Sequence, residues 1–396
     1  MKRGWVLAAL SLCVLLPSLG TSIANVALPT LAREFGVPFQ PVQWVVLGYL
    51  MATTTLIVSA GRLGDLVGRR RLLVGGITVF TLASALCAEA SGLWLLVAGR
   101  VAQGMGAAAM MALATALVGD AVPKARTGSA MGLLGTMSAV GTALGPSLGG
   151  VLIAAFGWPS IFWLNLPLGL AAALLAWRCL PAGRRMPAQG RSSFDPAGTL
   201  LLASTLAAYA LAMTLGRGSF GPRNLALLAA AAVGLGLFVW VEGRVAAPLI
   251  RRSSLRDPML GTGLALGGLV STVVMATLVV GPFHLARGLG LATAQVGLAM
   301  SAGPLVSALA GVPAGRMVDR WGAPCMSLAG MAGMALGCVL LSLIPRSWGV
   351  AGYVGPLTVL TAGYALFQAA NNTAVMADVP PERRGAISGL VNLSRN

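Results

Sequence analysis

Charge is scarce in this sequence. Only 9% of its 396 residues are Asp, Glu, Lys or Arg, and just 10 carry a carboxylate, against roughly 25% charged residues in a soluble domain. With 57% hydrophobic residues, such a chain cannot clothe a water-facing surface, which excludes an ordinary soluble fold. There is one histidine, His284, and no HExxH pattern. No acid lies deep in an apolar run, since Glu89, Asp120 and Glu242 fall near the ends. Hydrolysis within a membrane needs paired acids, a His-rich metal site or a nucleophile beside a base. An enzyme is therefore not expected, and neither is a metal or cofactor. The five cysteines (Cys13, Cys87, Cys179, Cys325, Cys338) sit in or beside apolar stretches without CxxC spacing, which argues against both a metal site and a disulfide framework.

What the sequence has is apolar length. Runs of about 18–25 residues recur from end to end, each long enough to cross a ~30 Å hydrocarbon core as helix. The spans fall at roughly 5–29, 42–60, 72–90, 93–119, 129–155, 161–180, 197–215, 224–241, 259–283, 294–314, 324–344 and 350–376, with a thirteenth beginning near Ala386. Lys2-Arg3 and Ser22-Ile23-Ala24 resemble a signal-peptide pattern, but the apolar segment from Trp5 to Leu28 exceeds a usual signal core and many spans follow. An uncleaved first helix is expected.

The net charge of +17 raises the question of nucleic acid, and the placement of the charges answers it. With the N-terminus inside and every span crossing, the outer side holds only Arg33, Arg217, Arg223, Arg287 and Arg346. Arg100 and Arg395 lie within apolar spans, and the remaining basic residues all fall inside. That is the positive-inside bias of a multi-pass protein of the cytoplasmic membrane. The basic residues are topology signals, no nucleic-acid partner is expected, and the partner is the lipid bilayer.

The chain also repeats itself. Gly61-Arg62-Leu63-Gly64-Asp65-Leu66-Val67-Gly68 returns as Gly315-Arg316-Met317-Val318-Asp319-Arg320-Trp321-Gly322, 254 positions later. Val122-Pro123 with Arg126, Gly128, Gly132 and Leu133 returns 257 positions later as Val379-Pro380 with Arg383, Gly385, Gly389 and Leu390. Two echoes at nearly one offset imply two homologous halves, as in transporters whose repeats rock about a midplane site. The expected fold is an all-α membrane protein of two pseudo-symmetric helical bundles, residues 1–180 and 259–396, joined by a 181–258 linker carrying two additional transmembrane helices. Were only one of those extra helices to cross, the basic loops of the second half would face out.

These residues resemble a known family, the fourteen-helix drug:proton antiporters of the major facilitator superfamily. Gly61 to Arg71 is similar to the family's loop motif between helices two and three. Arg100-Val101-Ala102-Gln103-Gly104-Met105-Gly106 is similar to its helix-four motif. Gly132, Gly141, Gly145-Pro146 and Gly149-Gly150 match its helix-five antiporter motif, and Gly157-Trp158, Phe162-Trp163 and Asn165-Leu166-Pro167-Leu168-Gly169 resemble the start of helix six. The resemblance implies a major facilitator fold and a secondary exporter, a monomer moving a small-molecule substrate against protons. The helix-five glycines would then serve as a hinge or seal that limits leak, or simply permit close helix packing.

Single residues carry further expectations. Arg100 lies inside an apolar span, where a charge costs at least ~2.5–3.5 kcal/mol. It would bind backbone carbonyls or an acidic partner and bias proton movement, or else snorkel to the outer interface. Asp65 is expected in a tight turn made possible by Gly61, Gly64 and Gly68, facing the N-terminal end of the helix near Gly385 and pairing with Arg69 or Arg126. By pseudo-symmetry Asp319 would meet the helix start near Gly128. Asn25, Trp44, Tyr49, Gln103, Tyr364, Gln368 and Asn372 are expected to line an adaptable apolar cavity with a few polar anchors.

Two departures stand out. The family's first-helix motif carries an aspartate where this chain has Gly20. An acid introduced there is expected to widen the substrate range toward cations, whereas the natural sequence favours neutral, amphipathic or anionic compounds. The thirteenth span reaches only Asn396, about half a bilayer, and the repeat offset places its matching end about 40 residues further on. The expectation is a C-terminally truncated chain that inserts and does not transport, the alternative function being a non-transporting remnant.

Overall fold

The computed structural model describes residues 2–180, 196–215, 221–245, 258–291, 293–377, 379–380 and 383–395. Residues 181–195 of the linker, together with Arg217, Arg251, Arg252 and Arg256, lie outside the described residues. The described residues form fourteen α-helices: α1 (Lys2–Glu34), α2 (Phe39–Val67), α3 (Arg69–Ala88), α4 (Leu93–Ala121), α5 (Thr127–Phe156), α6 (Ser160–Trp163), α7 (Asn165–Cys179), α8 (Pro196–Thr214), α9 (Pro222–Glu242), α10 (Pro258–Phe283), α11 (Thr293–Trp321), α12 (Ala323–Leu343), α13 (Gly349–Ala377) and α14 (Arg384–Leu393). Twelve stretches among them are long and apolar enough to span a membrane, with α6 and α7 counting as one. Their Leu, Ala, Val and Gly side chains offer hydrocarbon no polar group. Only the backbone must be satisfied, and a helix does that internally.

In the first half, α1 packs on α5 and α7, and α4 on α2 and α3; in the second, α13 packs on α12, α11 and α10. The two most extensive crossings between the halves are α5 against α11 and α2 against α14. They correspond under the sequence repeat. The inserted α8 and α9 form a hairpin on α2. Ser59 Oγ and Thr199 Oγ1 meet at 2.9 Å, and Asn224 donates to the Ala212 carbonyl at 2.7 Å, which ties the start of α9 to the end of α8. Large apolar side chains such as Leu82, Trp94, Phe156, Leu200, Leu309 and Leu343 project outward, the surface a bilayer covers.

The helices are longer than hydropathy indicates. The sequence places the ends of two spans near 60 and 314, yet α2 continues to Val67 and α11 to Trp321. Arg62, Asp65, Arg316 and Asp319 read as loop because they are polar. Polarity disqualifies a residue from hydrocarbon but not from helix. The true turn comes one repeat position later in both copies, at Gly68 (φ 109°) and Gly322 (φ 84°), where the left-handed backbone favours glycine.

Candidate functional site

Asp65 stands on the last turn of α2, not in a loop. Its carboxylate accepts the backbone N–H groups of Gly385 and Ala386, each at 3.1 Å, at the start of α14. An anion there meets unsatisfied donors and the positive end of the helix dipole. Arg69, one turn on, donates to the same carboxylate through Nε at 2.9 Å and Nη2 at 2.8 Å. Arg69 also engages Asp120, and Arg384 reaches Asp120 at 2.6 Å and the Gly119 carbonyl at 2.8 Å. The result is a chain of alternating charges that crosses from one half to the other. Arg126 does not join it: its side chain lies along a separate opening beside Arg316, Asp319 and Arg320. Gly61 and Gly64 are not turn residues either. A Cβ on Gly61 would lie 2.0 Å from the Gly385 carbonyl oxygen, and one on Gly64 would lie 2.3 Å from Leu113. These two glycines allow helices to touch, and only Gly68 supplies the turn.

The second copy repeats the geometry on α5 and α11. Asp319 accepts Gly128 N–H at 2.7 Å and Ser129 N–H at 2.9 Å, and the Ser129 hydroxyl also donates to it. A Cβ on Gly315 would meet the Gly128 carbonyl at 2.3 Å, and one on Gly132 would meet the Gly311 carbonyl at 2.2 Å. The other helix-five motif positions face elsewhere. Gly141, Gly145 and Gly149 lie against Leu15, Ser22 and Ile23 of α1, with Cβ positions 2.3–2.7 Å from the nearest atom. Gly150 has open space around it, and Pro146 is exposed. Close packing explains Gly132, Gly141, Gly145 and Gly149, but not Gly150.

Arg100 is fully buried. Its Nε donates to the Val45 carbonyl at 2.9 Å, its Nη1 to Gln103 Oε1, and its guanidinium lies 4.1 Å from the centre of the Tyr49 ring. Gln103 in turn donates to Ser84 Oγ at 2.6 Å, and the Tyr49 hydroxyl donates to the Pro17 carbonyl at 3.2 Å. The arginine therefore does not snorkel. It is held by a carbonyl, an amide and an aromatic face, which offset part of the cost of an intramembrane charge. Tyr49 and Gln103 consequently belong to the Arg100 cluster, away from the central cavity in which the sequence reading set them. Asn25 is exposed near the far end of α1, and Trp44 packs against an apolar cluster beside Val42 and Val45.

The remaining three cavity candidates do converge. Tyr364, Gln368 and Asn372 recur every four residues along one stripe of α13 and line a cavity of about 160 Å³ between the halves. Gly135 and Ser138 of α5 form its opposite side, with Asn392 and Arg395 beside them. An adjoining space of about 210 Å³ shares Tyr364, Gln368, Gly135 and Ser138 and extends toward Met300, Pro304 and Tyr353. Gln368 donates to the Tyr364 hydroxyl at 3.2 Å. Among the described residues, no carboxylate lines either space.

A family model described as Major Facilitator Superfamily matches residues 10–396. The chain belongs to that superfamily. Riboflavin transporter RibZ of Clostridioides difficile (strain 630) is 31% identical over 397 residues, covering 100% of this chain and 86% of the relative. Multidrug resistance protein Stp of Mycobacterium tuberculosis (strain ATCC 25618 / H37Rv) is 34% identical over 376 residues, covering 94% and 69%. Among solved structures, the human organic anion transporter MFSD10 (TETRAN) aligns at a TM-score of 0.70 with 18% identity, covering 99% of this chain and 90% of that one. The proton:xylose symporter XylE aligns at 0.70 with 15% identity, covering 99% and 86%. The structural likenesses establish the major facilitator fold, and the family establishes a multi-pass membrane transporter.

Within this major facilitator frame, three contributing residues escaped the sequence reading. Asp120 was set aside as a helix-end acid, and Arg384 as a topology signal, yet they meet across the halves. Their signal was available: Arg384 directly precedes Gly385 of the repeated motif. Arg395 was noted only as a charge within a span, and the reasoning applied to Arg100 would have singled it out equally.

Proposed function

We propose that this chain is a secondary exporter of small amphipathic, drug-like compounds across the cytoplasmic membrane, working as a monomer by proton antiport with its N-terminus inside. One observation carries the reading. Two carboxylates related by the repeat, Asp65 and Asp319, each bind the start of a helix in the opposite half, at the basic ends of α2 and α11. Both contacts require that end of the molecule to be shut, and both must break for the halves to part there. They form a latch with two states beside a cavity between the halves, the arrangement alternating access needs. The Arg100 cluster supports the reading as a rigid, charged insert in the wall of the first half. Proton antiport rests on the family resemblance alone, and the drug class on that resemblance and on a relative named as a multidrug resistance protein.

The test is efflux from cells expressing the protein against a compound panel, with and without a proton uncoupler; an inserted protein that exports none of the panel would favour the non-transporting alternative instead. Uncoupler-sensitive efflux of amphipathic compounds is the expected result, and efflux indifferent to the proton gradient would refute antiport. Topology is checked separately by reporters fused after Arg191, expected inside, and after Arg217, expected outside. An inside signal at both positions would refute the crossing of α8.

A further inference from the structure

The cavity between α5 and α13 is lined by one charged side chain, and among the described residues no acidic side chain lines it. Arg395 follows the last turn of α14 and lines the cavity together with Asn392, Tyr364, Gln368, Asn372 and Ser138. Its Nη2 donates to Asn392 Oδ1 at 2.7 Å. Asn392 is itself buried and fixed by a 2.9 Å bond from Nδ2 to the Ser388 carbonyl. The guanidinium is therefore aimed by a buried amide and is not a loose surface charge. No Asp or Glu stands among the residues that line the cavity. The first half places Ser138 at the position related to Arg395 by the 257-residue offset. Its hydroxyl is already engaged with Ser18 at 2.9 Å, so the charge enters from one side only.

A second observation points to a ligand. Asn372 is buried, lines the same cavity, and leaves its Oδ1 without a hydrogen-bond partner. Buried carboxamide oxygens are ordinarily paired, and this one is placed to accept from a hydroxyl or N–H of something bound. The rest of the wall is Val14, Met111, Met131, Leu134 and Gly135, with Thr115 the one further polar residue. Arginine keeps its proton under all ordinary conditions and presents a planar fork that matches a carboxylate.

We infer that this cavity binds small amphipathic organic anions, with Arg395 pairing their carboxylate or phenolate, Asn372 accepting from a neighbouring donor, and the methionine-rich wall covering the apolar body. A cavity of about 160 Å³ suits a body of one or two fused rings. The inference rests on the exporter reading and narrows its substrate class. It concerns charge selection at the cavity, which can be measured apart from transport.

The test uses three probes of one size and shape: 1-naphthoate, 1-naphthamide and 1-naphthylmethylammonium. Equilibrium binding to the purified full chain in detergent is expected to favour 1-naphthoate by at least about tenfold over either of the others, the gain of a charge-assisted pair over a neutral bond. Arg395→Gln should bring 1-naphthoate and 1-naphthamide within about threefold of each other, while Arg395→Lys retains the order. Thermal unfolding of both variants checks that the fold is kept. The inference is overturned if the cation or the amide binds as tightly as the acid to the natural chain. It is likewise overturned if none of the three binds, or if the preference survives Arg395→Gln. Flux of 1-naphthoate into proteoliposomes reads the exporter hypothesis on its own: binding without flux refutes transport and leaves charge selection standing, and flux without charge preference does the reverse.

Discussion

Replacing Asp65 with Asn should open the latch without unfolding the protein. Asp65 accepts two backbone N–H bonds from the opposite half at 3.1 Å each and two from Arg69. Hydrogen bonds to a charged group contribute roughly 1.5–3 kcal/mol each and neutral ones about 0.5–1.5. The carboxamide can accept one of the two cross-half N–H groups through its single oxygen, but its NH2 then faces a second donor. The closed state should lose about 2–3 kcal/mol, a shift of roughly 30- to 150-fold in the closed-to-open ratio. A protein resting about ten to one in favour of closure would then rest about three to one or more against it. Spin labels at Arg71 and Trp321, both exposed at the basic end on opposite halves, report this as a change in distance distribution. The five native cysteines are first replaced. Asp319→Asn should act in the same direction, and the double variant should multiply the two effects, because both contacts belong to one closed state. If the Asp65→Asn distance distribution matches that of the unaltered chain while the fold is intact, the carboxylate is not what holds this end shut.

Gly61→Ala should also prevent closure, by crowding alone: the new methyl would lie 2.0 Å from the Gly385 carbonyl, and the same labels should report a wider separation. A normal closed distance would show that α2 and α14 have slack the structure does not record. Arg100→Ala should abolish efflux and lower the melting temperature, because it strips Gln103 of its partner and leaves an unfilled space against Tyr49. The expected cost is about 2–4 kcal/mol. Arg100→Lys should keep part of the activity, and wild-type efflux by Arg100→Ala would count against the cluster's role. Gly20→Asp should reduce the yield of folded protein instead of widening the substrate range. Gly20 is buried, and a side chain there starts 3.6 Å from the Phe80 ring, not in the cavity. A folded Gly20→Asp protein that exports cations would reverse this.

The first twelve apolar spans, the repeat and the pairing of Asp65 and Asp319 with opposite helix starts were legible in the residues, whereas the thirteenth is only the short α14 here. Apolar length and an internal echo are one-dimensional signals, and a carboxylate beside a glycine-marked helix start follows from the dipole. The environments of Tyr49, Gln103, Asn25 and Trp44 were not legible. An amide or aromatic residue on a transmembrane helix reads the same whether it faces a cavity, a buried arginine or the outer edge. Only the rotation of the helix decides, and α2 and α4 turn Tyr49 and Gln103 toward Arg100. Ion pairs between distant segments, such as Asp120 with Arg384, leave no periodic trace, so they too needed the fold.

Beside the Asp65 and Asp319 carboxylates, the surfaces that meet when the basic end shuts are main chain at two points. At Gly61 against Gly385, and at Gly315 against Gly128, carbonyl oxygens touch the space where a side chain would begin. On the proposed reading, selection of cargo falls instead to the side chains of α5, α13 and α14 that line the cavity. The two jobs therefore draw on different atoms. On that reading, exchanging Gln368 or Asn372 alters the cargo and leaves the close glycine contacts of Gly61 with Gly385 and of Gly315 with Gly128 in place.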